Sequence, residues 1–402
     1  MKSPFQIGNR SIDAQAINDT IARALASAGL DTSTGPMHSV TETIRQALGS
    51  VGMVDPTAPT TASPRPIIDI EARVIDAGDA THAAPVDRPV DRPAARSEPA
   101  GRFTSHRFSG AAGARSYKLY TPAGSSAAPR PVVVMLHGCT QTVDDFARGT
   151  RMNQLADLHD VLVVYPEQAT QANPSKCWNW FNTQDQLRDS GEPSLIAGIV
   201  REVITSQRAD PRRVFVAGLS AGAAMSVILG ETYPEMFAGV GAHSGLPYGS
   251  AHDMPSALAA MKAGRSGIAR SKGLPAMPGS QLKQTSQPMP TIVFHGDRDH
   301  TVQQENGNAI VEQAQRAYQA QAGHEPLRRI SHQGTAPGGR GFERTQLVDG
   351  SGLAQVEQWV LRGAGHAWAG GDSGGSYTDA TGPDASAEML KFFLARQRAG
   401  SA

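Results

Sequence analysis

The sequence predicts an α/β fold built on a doubly wound, mostly parallel sheet. Three apolar, β-branched runs, at 131–136, 214–217 and 291–294, each stop at a polar residue beside a glycine. Runs of this kind are typical of parallel strands that are buried on both faces. Segments with helical patterns lie between them, at 195–207 and 221–232, and strands that alternate with helices form a doubly wound sheet. Reactive groups are therefore expected at the strand ends.

Further elements extend this sheet. The segment 103–122 is predicted to form antiparallel entry strands, and 161–165 is predicted to form another central strand. The pattern of 356–361 predicts the strand that leads to His366. A closing helix is expected at 388–398.

Three residues in the order Ser, Asp, His form the predicted catalytic group. Ser220 lies in Gly-Leu-Ser-Ala-Gly, directly after the strand run at 214–217 and before a helical segment. A strained strand-to-helix turn of this type exposes a nucleophile, with an acid and then a histidine later in the chain. Ser220 is thus the predicted nucleophile, His366 its base and Asp299 the acid that orients the imidazole. Asp297 is the alternative acid and is expected to hydrogen-bond its own loop.

A second Gly-x-Ser-x-Gly surrounds Ser373 and reads Gly-Asp-Ser-Gly-Gly, as around the nucleophile of chymotrypsin-like proteases. No apolar strand run precedes it, no helical pattern follows it, and no His-then-Asp pair lies upstream in a plausible frame. Ser373 is therefore predicted to be a loop serine.

Composition narrows the possible functions and location. The 37 basic and 37 acidic residues cancel, which indicates neither nucleic acid nor a membrane surface as a partner. The apolar runs are strand-sized, so no transmembrane segment is expected. The first residues lack the apolar core of a signal peptide, which favours a cytoplasmic location, with export as the alternative. No cofactor and no metal are expected, because the two cysteines do not provide a zinc ligand set.

The cysteines Cys139 and Cys177 leave two alternatives open. A disulfide between them would contribute about 3 to 4 kcal/mol of stability in the loop-entropy model. A cytosolic protein would keep both as thiols.

Three regions are predicted along the chain. Residues 1–54 contain two amphipathic segments, which form either a docking or dimerising hairpin or two unrelated helices. Residues 55–100 are rich in Pro, Ala and Asp and are predicted to be a disordered linker. Residues 101–398 form the predicted catalytic domain, within which 245–290 is either a cap-like insertion or a surface loop.

Five motifs resemble the polyhydroxybutyrate depolymerase family of esterases, over roughly residues 115–396. They are Leu136-His-Gly-Cys-Thr-Gln141, Cys177-Trp-Asn-Trp-Phe181, the segment 210–222, the segment 295–302 and Gly365-His-Ala-Trp368. The family is similar to feruloyl and acetylxylan esterases and belongs to the α/β-hydrolases. The resemblance implies that fold and a second oxyanion donor at the amide of Cys139, beside the Ala221 amide that the Ser220 turn itself predicts.

Tryptophans flank these motifs. Trp178, Trp180 and Trp368 are predicted to bind an apolar acyl chain or a phenolic ring, with ordinary packing as the alternative. Two histidines near the strand ends, His137 and His295, are not expected to act as bases.

Together these observations predict a serine carboxylesterase that acts through an acyl-enzyme. Its substrate would be a small or oligomeric ester that is short-chain, aromatic or of the hydroxyalkanoate type. The alternatives are a prolyl-oligopeptidase-like peptidase and a non-catalytic binding protein of the same fold. A homo-oligomer formed through the N-terminal segments is a further hypothesis.

Overall fold

The computed structural model describes residues 101–124, 126–263 and 288–398. The predicted N-terminal helices, the Pro-rich segment and residues 264–287 of the insertion lie outside these ranges. The domain boundaries and the N-terminal hairpin thus stay predictions.

The strands of the described residues begin with an antiparallel entry pair and continue to the C-terminal region. They are β1 Arg102–Gly110, β2 Gly113–Thr121, β3 Val132–Leu136, β4 Leu162–Pro166, β5 Val214–Leu219, β6 Gly239–His243, β7 Thr291–Gly296, β8 Arg328–Thr335, β9 Gly341–Val348, β10 Ala354–Leu361, β11 Trp368–Ala369 and β12 Thr378–Asp379. The first ten form one sheet in the order β1-β2-β4-β3-β5-β6-β7-β10-β9-β8, and β11 pairs with β12.

The centre of this sheet is parallel, from β4 through β3, β5, β6 and β7 to β10. Antiparallel strands extend it at both edges. The predicted doubly wound, mostly parallel sheet is confirmed. The β8–β9 hairpin was not predicted, because β8 is exposed along most of its length and so lacks an apolar run.

Helices cover both faces of the sheet. They are α1 Val143–Thr150, α2 Met152–His159, α3 Gly191–Gln207, α4 Ala221–Thr232, α5 Met254–Ala263, α6 Glu305–Gln319 and α7 Ala385–Leu394. Alternate strand residues point to opposite faces. Val132 and Val134 accordingly join the core that contains α3 and α4, whereas Val133 and Met135 join the core that contains α7. None of these helices is long and apolar enough to span a membrane.

The strand register brings the reactive segments level with one another. Leu136 of β3 pairs with Gly218 of β5, and Leu361 of β10 pairs with Gly296 of β7. The segments that follow these residues therefore leave the sheet at the same edge, where open parallel sheets place their ligand sites.

Candidate active site

Ser220 occupies a strained turn between β5 and α4. Its backbone has φ 57° and ψ −119°, a conformation that few residues other than glycine adopt. The glycine at 222 is required here, because a Cβ atom at that position would overlap the carbonyl oxygen of Leu136. The Ser220 amide donates to the carbonyl oxygen of His243 over 2.9 Å, which fixes the turn against the neighbouring strand. Turns of this type expose a nucleophile, and the catalytic role of Ser220 stays a prediction.

Asp299 and His366 form a hydrogen-bonded pair. His366 Nδ1 lies 2.7 Å from Asp299 Oδ2, and the aspartate side chain is fully buried. Asp299 Oδ1 accepts the amides of Thr301 and Val302, each over 2.9 Å. Burial alone would raise the pKa of Asp299, but the bonds from His366 and the Val302 amide hold it below its ordinary value. The carboxylate therefore stays ionised and orients the imidazole with its proton on Nδ1.

Asp297 has a different partner. Its Oδ1 atom accepts the amide of Gly363 over 2.6 Å, while its own amide donates to Leu361. Asp297 thus ties its loop to the end of β10, whereas the sequence predicted a hydrogen bond within its own loop.

No hydrogen bond joins the Ser220 hydroxyl to His366 within the described ranges. Contacts between a nucleophile and its base are often loose without substrate and tighten when substrate binds. His366 keeps some solvent access, with 12% of its side chain exposed. Ser220 is likewise partly exposed. Both groups are therefore accessible at the same edge of the sheet.

Two backbone amides near Ser220 have no acceptor among the described residues. Cys139 lies three residues past Leu136, and Ala221 lies three residues past Gly218, the pair that the register aligns. In the part of the chain that the structure describes, neither the Cys139 amide nor the Ala221 amide donates a hydrogen bond. Two unpaired donors beside a nucleophile can stabilise the oxyanion of an acyl-transfer reaction.

The oxyanion loop, defined here as residues 137–141, is held by several contacts. Gln141 accepts the Gly138 amide through Oε1 over 2.9 Å and donates through Nε2 to Asp145 over 3.0 Å. The Trp178 indole donates to the carbonyl oxygen of His137 over 3.2 Å. Preorganised donors cost no rearrangement during reaction, so these bonds favour the proposed oxyanion role.

A disulfide joins Cys139 to Cys177. This result decides between the two alternatives that the sequence left open. The adjacent Thr140 amide also donates to Ser175 over 2.7 Å. The oxyanion loop is thus tied covalently and by a hydrogen bond to the segment 169–178.

Glu192, which sequence reasoning missed, anchors that second segment. Its buried carboxylate accepts the amide of Asn179 over 2.7 Å and the side-chain nitrogen of the same residue over 2.9 Å. It also accepts from Gln168 and pairs with Arg115 at 3.1 Å. Burial raises the pKa of Glu192, although these donors counter part of that effect. Nothing in the local sequence marks it, because its partners come from distant parts of the chain.

The three tryptophans predicted to bind substrate are buried. Trp178 is 0% exposed, Trp180 6% and Trp368 1%. Trp178 supports the oxyanion loop, and Trp368 donates to Ser386 over 3.0 Å. The substrate-binding prediction is therefore wrong for Trp178 and Trp368 and unsupported for Trp180, because an enclosed ring has no face to offer a ligand. Ordinary packing, the alternative interpretation, accounts for all three.

His243 is a second residue that sequence reasoning missed. Its carbonyl oxygen accepts the Ser220 amide, and its Nε2 atom accepts the Ala369 amide over 3.0 Å. The ring lies against Trp368, with centroids 5.2 Å apart. Burial lowers the pKa of His243 to about 3, so the ring is neutral and links the nucleophile turn to the His366 loop.

The two histidines near the strand ends, His137 and His295, have structural roles. His137 is fully buried, donates through Nδ1 to Gly138 over 2.7 Å and accepts the Gln168 amide over 3.1 Å. Burial lowers its pKa to about 4. His295 donates to the carbonyl oxygen of Val302 over 2.8 Å, and burial lowers its pKa as well. Ser373 lies exposed in a turn.

The described part of the 245–290 insertion contacts the loop that carries Asp299. Helix α5 ends beside it, where Lys262 Nζ donates to the carbonyl oxygen of His300 over 2.6 Å. Met254 and Leu258 on this helix are 51% and 58% exposed. A capping role for the insertion stays a prediction. Within the described ranges, no group of three or more His, Cys, Asp or Glu side chains is placed to hold a metal ion.

Known proteins resemble this chain over part of its length. Poly(3-hydroxyalkanoate) depolymerase C of Paucimonas lemoignei is 34% identical over 248 residues, which are 61% of this chain and 57% of that protein. Poly(3-hydroxybutyrate) depolymerase of Ralstonia pickettii is 28% identical over 276 residues, 65% and 54% of the two chains. Acetylxylan esterase A of Aspergillus oryzae is 29% identical over 194 residues, 47% and 62%. The chain spans less than two thirds of the length of each of these relatives.

A solved structure supports the fold. An acetyl xylan esterase from Aspergillus awamori superposes with a TM-score of 0.51 at 20% identity, covering 70% of this chain and 94% of that one. This likeness and the sheet order confirm the predicted α/β-hydrolase fold. The family model described as Esterase PHB depolymerase matches residues 115–326, just over half of the chain. On the strength of that match, the chain belongs to the polyhydroxybutyrate depolymerase family of esterases.

Proposed function

We propose that this protein is a serine carboxylesterase that cleaves its substrates through an acyl-enzyme. One observation carries the proposal. The buried Asp299 carboxylate lies 2.7 Å from Nδ1 of His366, at the sheet edge where Ser220 occupies a strained turn. An acid, a base and a nucleophile in this order are the requirements of acyl transfer by a serine.

The reaction follows from these positions. His366 removes the proton from the Ser220 hydroxyl as its oxygen attacks the ester carbonyl carbon, and Asp299 stabilises the resulting imidazolium. The amides of Cys139 and Ala221 donate to the carbonyl oxygen as it gains negative charge. His366 then gives its proton to the leaving alcohol, so that an acyl-Ser220 ester remains. Water activated by His366 releases the acid and restores the serine.

The proposed substrates are short-chain, aromatic or hydroxyalkanoate esters. The names of the relatives support this range, since they include poly(3-hydroxyalkanoate) depolymerase, acetylxylan esterase and feruloyl esterase. The ester bond is common to all of these substrates, whereas the acid and alcohol parts differ.

An oxidising compartment is the proposed location, in place of the cytoplasm expected from the sequence. The Cys139–Cys177 disulfide supports it, because cytosolic proteins rarely keep a structural disulfide. The measurement is thiol alkylation of protein taken from its host without reductant, before and after denaturation. Two free thiols in the denatured sample would contradict this location.

The test of the esterase proposal is a comparison of two serines with p-nitrophenyl acetate and butyrate. Ser220→Ala should reduce turnover by about 10⁶, the loss seen when a triad nucleophile is removed elsewhere. Ser373→Ala, which changes the other Gly-x-Ser-x-Gly, should retain turnover. A Ser220→Ala protein that is folded and still active would exclude the serine mechanism, and a parent protein inactive on both esters would favour the non-catalytic alternative.

A further inference from the structure

Tyr377 differs from the other large aromatic side chains near the site. Its side chain is 47% exposed. Among the described residues, the other large apolar side chains that are exposed are aliphatic or Met. Its backbone has φ 50°, a conformation that is a genuine outlier for a bulky residue. Strained backbone of this kind persists where the surroundings impose it, which is common at ligand sites.

The position of Tyr377 connects the two halves of the candidate site. Its carbonyl oxygen accepts the Trp368 amide over 2.7 Å, two residues beyond His366. Its phenolic oxygen lies 3.4 Å from Oγ1 of Thr140. Thr140 follows the proposed oxyanion donor Cys139 and also has a positive φ, 66°. The tyrosine therefore lies between the His366 loop and the oxyanion loop.

The segment that carries Tyr377 is held firmly on both sides. Ser376 accepts from Gln141 Nε2 through its carbonyl oxygen over 3.1 Å, and its amide donates to Asp145 over 2.9 Å. On the other side, Thr378 pairs with Trp368 as part of the β11–β12 ladder. The backbone at 377 is thus fixed, and no other ring or cation stacks on the tyrosine within the described part of the chain.

We propose that Tyr377 determines acyl-group specificity, by packing its ring against the acyl part of a bound ester. The inference rests on the proposed esterase function and refines its substrate class. The phenol reaches Thr140, the residue after Cys139, whose amide would bind the acyl carbonyl, and the exposed ring is therefore close enough to contact a group attached to that carbonyl. Tyrosine suits this place, because it offers a large apolar face and loses little conformational entropy. It takes the substrate-contacting role that the buried tryptophans cannot fill.

The consequence is a preference for esters with a larger apolar or aromatic acyl group over acetate. A ring contact of this size changes relative kcat/KM by roughly 10-fold. The gain is absent for acetate, since its methyl group is too short to reach across the ring.

The experiment uses two variants of the full chain and three p-nitrophenyl esters, the acetate, butyrate and ferulate. Tyr377→Asn removes the ring but tolerates a positive φ, so it preserves the local backbone. Tyr377→Phe keeps the ring and removes the hydroxyl. Ser373→Ala, in the same segment, is the matched control, and thermal unfolding verifies that each protein is folded.

We expect Tyr377→Asn to lower kcat/KM for butyrate and ferulate relative to acetate by about 10-fold. Tyr377→Phe and the control should keep the parent ratios of kcat/KM. Equal losses on all three esters in both Tyr377 variants would overturn it, because they would assign the tyrosine to holding the oxyanion loop. Unchanged ratios in Tyr377→Asn would also overturn it and leave the esterase proposal intact. A parent protein inactive on all three esters would contradict the esterase proposal and this inference together.

Discussion

Replacing Asp299 by asparagine tests the role of the proton on Nδ1 of His366. In the structure one carboxylate oxygen accepts the amides of Thr301 and Val302, and the other faces His366 Nδ1 at 2.7 Å. The carbonyl oxygen of an asparagine would keep the two backbone amides. Its NH₂ group would then point at Nδ1, which can face a donor only when it carries no proton. The imidazole would hold its proton on Nε2, on the side where it must accept one from Ser220.

The expected loss for Asp299→Asn is about 10⁴ in kcat, the effect of the wrong histidine tautomer in a serine protease. This factor equals about 5.4 kcal/mol of transition-state stabilisation. The assay is steady-state hydrolysis of p-nitrophenyl butyrate, with thermal unfolding to establish that the variant is folded. KM should change little, since the pair acts on the reaction and not on substrate binding.

Asp297→Asn is the matched control. Asp297 accepts one backbone amide, from Gly363, and the carbonyl oxygen of asparagine can accept it equally well. Its kcat should remain within about 3-fold of the parent, because the hydrogen bond is kept and no proton position changes. A folded Asp299→Asn protein with less than a 10-fold loss would refute the assignment, as would a large loss confined to Asp297→Asn.

Three other outcomes follow from the structure. Cys177→Ser should lower the free energy of unfolding by about 3 to 4 kcal/mol and should reduce kcat, because the Cys139 amide is then held less firmly. Denaturation and steady-state kinetics, each with and without dithiothreitol, measure the two effects. A reduced parent protein of unchanged stability would contradict this prediction. Gly222→Ala should give inactive or insoluble protein because its new methyl group meets backbone, and a soluble, fully active variant would show that the turn is less crowded. The pKa values of His137 and His243 in the folded protein are lowered to about 4 and about 3. As the pH falls, these two histidines therefore bind protons in the unfolded chain before they do so in the folded protein. The free energy of unfolding should therefore fall by roughly 1.4 kcal/mol per pH unit for each histidine between about pH 6.5 and 4; urea unfolding at stepped pH measures the slope, and a flat profile would contradict the buried neutral rings.

The structure around Ser220 could be predicted from the sequence, because it depends on residues that are neighbours in the chain. The apolar run before Ser220 and the small residues after it specify a strand, a tight turn and a helix within one short segment. The order of Ser220, Asp299 and His366 then follows from the chain itself. In contrast, β6 reads Gly-Val-Gly-Ala-His, and a pattern with two glycines does not predict a strand. This strand forms because β5 and β7 pair with it on both sides.

Other features depend on contacts between distant segments and leave no local trace. The burial of Trp368 arises from helices and loops far from it in the chain, so an aromatic residue beside His366 looked like a ligand contact. His243 gains its role from amides at 220 and 369. Tyr377 has an ordinary sequence context, and only the folded backbone shows that it stands exposed between the segments that carry Thr140 and Trp368.

The place of β10 in the sheet sets the order in which the protein can become complete during synthesis. Asp299 leaves the ribosome 67 residues before His366, and the strand that delivers His366 must insert beside β7 and take β9 on its other side. Until β10 is made, the open edge of β7 can pair with other chains. A truncated or stalled chain would carry Ser220 without His366. Chaperones that shield a strand edge should therefore matter most during translation of residues 297–361, between the end of β7 and the end of β10.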